Sequence, residues 1–154
     1  MIADPRTLPA RPPSEVEWED LLVRLEIAPR ALRIAVDEAP PAHPAVREAL
    51  LSGVAAESAL QATIEAMVEG REAPDGRGGE GVRDPAGAPL GRFAQLRART
   101  FAMEQRRGLN VWEWTAKGGA WPGATAYQLL QAAARTDAML LDAVRRAGRE
   151  EAGG

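Results

Sequence analysis

Apolar positions recur every three or four residues along four stretches of the chain, and no stretch alternates with the period of two that a half-buried strand requires. The first stretch carries Trp18, Leu21, Leu22, Leu25, Leu32, Ala35 and Val36. Ser14 and Glu17 precede it at capping-box spacing, in which the hydroxyl takes the Glu17 amide and the carboxylate returns to the Ser14 amide, so a helix begins there. Pro29 interrupts the stripe; it lacks a backbone donor and predicts a kink or a split. Pro40-Pro41 ends the helix.

The second stretch opens at Pro44, suited to a first helical position, and runs to about Gly70, a natural C-terminal stop. Its stripe is Val46, Leu50, Val54, Glu57, Leu60, Ile64, Met67 and Val68. A third helix is predicted from about Pro89 to Arg107, with Leu90, Phe93, Leu96, Arg97, Thr100, Phe101 and Glu104 near one face. The last starts near Thr125 and runs to about Ala147, with Leu130, Ala133, Ala134, Leu140, Leu141 and Val144 on its inner side. Asp137 falls where that apolar stripe passes.

These elements predict an all-α four-helix bundle over residues 14–148. Residues 1–13, with four prolines, form an extended N-terminal segment lying over the surface or mobile, and residues 149–154 a frayed tail. Between helices 2 and 3 lies REAPDGRGGEGVRDPAGAP, a long Gly/Pro-rich crossover that permits a non-sequential helix order. Its GRGGEG run is not a phosphate loop, since no strand precedes it and no Gly-Lys-Ser/Thr closes it.

Composition narrows the chemistry. A chain of 154 residues, 45% apolar and 27% charged, is one soluble globular domain by the usual proportions. A net charge of −3 gives no reason to expect nucleic acid or an anionic membrane as partner. There is no cysteine, and His43 is the sole histidine, so thiolate chemistry and a His-rich metal site within one chain are excluded. The N-terminal MIADPRTLPARPPSE has no apolar core, and a cytoplasmic protein with neither signal peptide nor membrane anchor is expected.

Glu57, Arg97 and Asp137 point inward by periodicity from three different helices. They form either an ion-pair network that fixes helix register or a polar pocket for a small ligand, with Arg97 facing an anionic group. Ser52 and Thr136 are either pocket residues or small polar residues bonding back to their own helix. Neither is readable as a nucleophile, because His43 lies just before helix 2 and no Ser-His-Asp arrangement can be built. Trp112, Trp114 and Trp121 crowd the connection before helix 4; they are a lid over one end of the bundle or an aromatic wall for a ligand or partner.

The order of these features resembles the DinB/YfiT-like superfamily of helical bundles over about residues 15–147. EALLSGVAAES keeps Glu48, Leu50 and Glu57 at the spacing of that family's second helix. FAQLRARTF reproduces its third-helix arginine at Arg97, and TDAMLL matches the fourth-helix signature through Asp137 and Leu141. The family's three metal histidines align with Ser52, Thr136 and Leu140, and a helix-2 acid with Ala55. A hydroxyl is a poor transition-metal ligand and leucine is none. The resemblance thus implies the fold without the metal, and no cofactor.

Three functions follow as expectations. The first is a non-catalytic DinB-like protein, binding a small ligand or related to stress. The second is a thiol-dependent transferase or isomerase working without the histidine triad, and the third a structural or assembly module. A homodimer built on helix faces is also expected, because Ile27 and Ile34 on helix 1 and Met139 and Ala143 on helix 4 lie off the inward stripes. The rival reading is that Pro29 rotates the second half of helix 1 and carries Ile34 into the core.

Overall fold

The computed structural model describes residues 4–39, 43–74, 89–107 and 114–152. The crossover residues 75–88, Trp112, and the side chains of Phe101 and Glu104 lie outside them. The described residues include four α-helices: α1 (Glu15–Glu38), α2 (Pro44–Glu69), α3 (Pro89–Arg107) and α4 (Ala126–Ala152). Among the described residues there is no strand, only an isolated antiparallel bridge between Thr115 and Thr125. No helix among the described residues is long and apolar enough to cross a membrane.

Local chemistry sets the ends. Both bonds of the Ser14–Glu17 capping box form at α1. His43 caps α2, its Nδ1 accepting from the Ala45 amide at 3.1 Å. Gly70, at φ 69°, closes α2 in the left-handed region that glycine enters without strain. Thr125 and Gln128 make a second capping box at the start of α4. That helix continues to Ala152, past the expected end near Ala147 and through most of the expected tail. Arg149, Glu150, Glu151 and Ala152 are good helix formers, and they carry the helix beyond Gly148 with no proline to stop it.

α1 packs on α3 and α4, and α2 packs on the same two, so α1 lies diagonally across from α2 and α3 from α4. Two apolar clusters fill the interior. One gathers Leu21, Leu25, Leu60, Ile64, Leu129 and Leu130, with Trp18 and Trp121 leaning on it. The other gathers Leu32, Val46, Leu50, Val54, Phe93, Leu96, Leu140 and Val144. The N-terminal segment is anchored rather than loose. Pro5 and Leu8 are buried, and the Gln128 and Gln131 amides donate to the Leu8 and Pro9 carbonyls, each at 2.8 Å.

Candidate functional site

Between the two clusters, all four helices converge on one guanidinium. Arg97 of α3 is 2% exposed, Glu57 of α2 3% and Asp137 of α4 6%. Arg97 Nε and Nη2 donate to Glu57 Oε1 and Oε2 at 2.9 and 3.0 Å, a bidentate pair. Nη1 and Nη2 donate to Asp137 Oδ2 and Oδ1, both at 2.8 Å. The remaining Nη1 proton goes to the Leu25 carbonyl of α1 at 2.7 Å. Every N–H of the guanidinium therefore has an acceptor. Phe93 closes the plane, its ring centroid 5.0 Å from Arg97 Cζ.

The bond to Leu25 explains why Pro29 does not split α1. In a helix the Leu25 carbonyl would receive the amide proton of residue 29, which proline lacks. Arg97 supplies that proton from another helix, and α1 runs unbroken through Pro29. A mid-helix proline ordinarily costs about 3 kcal/mol relative to alanine. Because Arg97 already satisfies this carbonyl, Pro29→Ala is expected to raise stability by no more than about 1 kcal/mol of that figure, as read by urea unfolding. A gain near the full amount would mean that the Arg97 contact offsets nothing.

A further layer backs Glu57. The Thr100 hydroxyl lies 3.1 Å from both Glu57 Oε1 and the Leu96 carbonyl, and its single proton serves one of them at a time. Gln61 Nε2 donates to the Leu96 carbonyl at 2.8 Å and to Thr100 Oγ1 at 3.3 Å. Among the described residues no buried side-chain nitrogen or oxygen is left without a partner.

Two carboxylates share one cation here, so a fully ionised cluster carries a net negative charge away from water. Burial pushes the Asp137 carboxyl up to about 6; the Arg97 bonds pull it down, and Glu57 pushes it further up. Burial works against the Arg97 cation too, but its bonds to Asp137 and Glu57 outweigh that and hold its pKa above the ordinary value. Arg97 stays charged, and both Asp137 oxygens stay occupied by it. Buried among the helices and held by Arg97, this carboxyl is out of reach of a substrate whose proton it would have to take.

The other candidates do not join this cluster. Ser52 is exposed on α2. Thr136 is partly buried and bonds back to the Ala132 carbonyl at 2.9 Å. Leu140 sits in the apolar cluster, and a Cβ placed on Gly53 would lie 2.6 Å from Leu140 Cδ2, so leucine fills the space against the bare α2 backbone. Trp114 and Trp121 are half-buried. Their loop is built by backbone bonds from Ala116 to Ala124 and from Ala126 to Trp114, at 2.8 and 3.0 Å, and the Lys117 carbonyl holds the Ala73 amide. Trp121 packs on the core as a lid would.

Ser52, Thr136 and Leu140 thus offer an exposed hydroxyl, a back-bonded hydroxyl and a packed leucine. Among the described residues no three His, Cys, Asp or Glu side chains come together as a metal-holding group. These residues do not fit a transition metal.

An open groove lies elsewhere, between the N-terminal segment, α1 and α4. It encloses about 410 Å³ and has Leu8, Leu21, Ala134 and Ala138 among its apolar lining. Tyr127, Gln131, Arg24 and Arg135 bring polar groups to it, and Glu17 and Asp20 bring two carboxylates. Arg24 is paired with Asp20 at 2.9 Å, whereas Arg135 has no ion pair among the described residues. Periodicity gives no sign of this groove, because one edge of it, Leu8 and Pro9, comes from the proline-broken N-terminus. In comparisons with known proteins, the chain matches no family model, no curated protein and no solved structure.

Proposed function

We propose that this chain is a non-catalytic, DinB-like helical bundle that works by binding a small ligand. The observation that carries the reading is the closed Arg97 cluster. Its donors and carboxylate oxygens are consumed inside the protein, where a metal-dependent relative would need open ligands. Arg97 serves register and stability, and recognition moves to the groove beside Tyr127 and Arg135. The carboxylates Glu17 and Asp20 are already paired with Arg11 and Arg24, so an apolar lining beside Arg135, which has no ion pair among the described residues, suits a small amphiphilic anion.

Two measurements test this. Protein purified without a metal-affinity step is expected to hold well under one equivalent of zinc, nickel or manganese by elemental analysis. The fluorescent sulfonate 8-anilinonaphthalene-1-sulfonate is expected to bind saturably at one site, and Arg135→Glu to weaken it about tenfold or more, the scale of a lost charge-assisted pair. A stoichiometric metal, or probe binding that Arg135→Glu leaves unchanged, would overturn the reading.

A further inference from the structure

Five large apolar side chains are exposed among the described residues, and four lie on α1: Val16 at 75%, Val23 at 53%, Ile27 at 52% and Ile34 at 56%. Ile34 is therefore not carried into the core by Pro29. With Asp20 and Arg30 these residues follow spacings of four, three, four, three and four, a heptad seam along about 27 Å of helix at 1.5 Å per residue. The seam lies on the side of α1 opposite the buried Leu21, Leu25, Ala28 and Leu32. Among the described residues nothing covers it.

The seam also reads the same from either end. About Leu25 as centre, Val16 is as far out as Ile34, Asp20 as far as Arg30, and Val23 as far as Ile27. Setting a second α1 antiparallel across a twofold axis at this point places each member of a pair opposite its mate in the other copy. Val16 and Val23 then meet Ile34 and Ile27, and Asp20 meets Arg30 on both sides of the axis. A parallel pairing instead sets Asp20 against Asp20 and Arg30 against Arg30, which like-charge repulsion disfavours. Arg30 has no ion pair among the described residues, whereas Asp20 pairs with Arg24 at a site exposed enough to accept a second cation.

We propose that this face of α1 is the interface with a second copy of the chain, antiparallel and centred on Leu25. The α1 charges supply orientation and register, and the apolar positions the burial. Met139 and Ala143 of α4 are exposed as well, but they carry no such mirrored pattern and are not needed.

Charge swapping tests the arrangement by sedimentation at tens of micromolar. The wild-type chain is expected at about 33 kDa, twice its 16.5 kDa. Asp20→Arg alone and Arg30→Asp alone are each expected to weaken association about tenfold or more, by setting like charges across the axis twice. The double variant Asp20→Arg/Arg30→Asp is expected to recover the dimer. Circular dichroism of each variant verifies that the bundle is intact. Because the chain has no cysteine, orientation can be read directly. Val16→Cys and Ile34→Cys chains are expected to form a disulfide when mixed and oxidised, and neither to do so alone. A wild-type monomer at 100 μM, failure of the double variant to recover, or efficient cross-linking of the Val16→Cys chain by itself would overturn the proposal.

Discussion

Alanine in place of Arg97 is expected to destabilise the bundle by roughly 3–5 kcal/mol, the scale found when one partner of a buried ion pair is removed. Glu57 and Asp137 would then face each other without a cation, and the Leu25 carbonyl would again lack a donor. A loss of that size corresponds to a melting temperature lower by roughly 10 °C or more for a domain of this length. Arg99, exposed on the same helix, is the control; Arg99→Ala should stay within about 0.5 kcal/mol of wild type. Acidification should partly rescue the Arg97→Ala chain, since protonating the facing carboxylates relieves their repulsion. Equal melting temperatures for the two variants would remove the basis for a structural role.

The second large effect is a dependence on pH that runs opposite to ordinary acid denaturation. Asp137 is held at about 6 in the folded chain, against 3.8 as its ordinary value. Between those values the folded state binds a proton that the unfolded state has released, so stability falls as pH rises through this window. The contribution is fully present below about pH 4 and lost above about 6, amounting to at most about 3 kcal/mol. The groups facing Asp137 are Arg97, which stays cationic, and Glu57 across it. Unfolding free energies between pH 4 and 7.5 should show the wild-type chain losing stability relative to Asp137→Asn as pH rises. Parallel curves for the two chains would show that Asp137 titrates with no shift.

Much of this architecture was legible in the sequence wherever a single residue carries the physical cause. Ser14 and Glu17 mark the start of α1, and Pro44 and Gly70 bound α2. The inward register of Glu57, Arg97 and Asp137 follows from period alone. Pro29 shows the limit of local reading. Its missing proton is visible in the sequence, but the donor that replaces it belongs to Arg97, 72 residues along the chain from the Leu25 carbonyl it serves. The same holds for the N-terminal segment: its prolines suggest looseness, and the side chains that tie it down, Gln128 and Gln131, are on α4. Ser52 is exposed because the α2 stripe through Leu50, Gly53, Val54 and Glu57 leaves it off the inner face, which period alone already indicates. The groove was not legible, because three separate segments build it.

The Arg97 cluster is closed, with every guanidinium proton held inside the protein. Nitrogen-15 NMR of the arginine side chains tests it most directly, with the Arg97 signals assigned by their loss in Arg97→Lys. Resolved, slowly exchanging Nε and Nη protons are expected at neutral pH, unmoved by added zinc or nickel or by the sulfonate probe. A single averaged Nη signal in fast exchange with water, or a shift of the Arg97 signals when metal or probe is added, would contradict it.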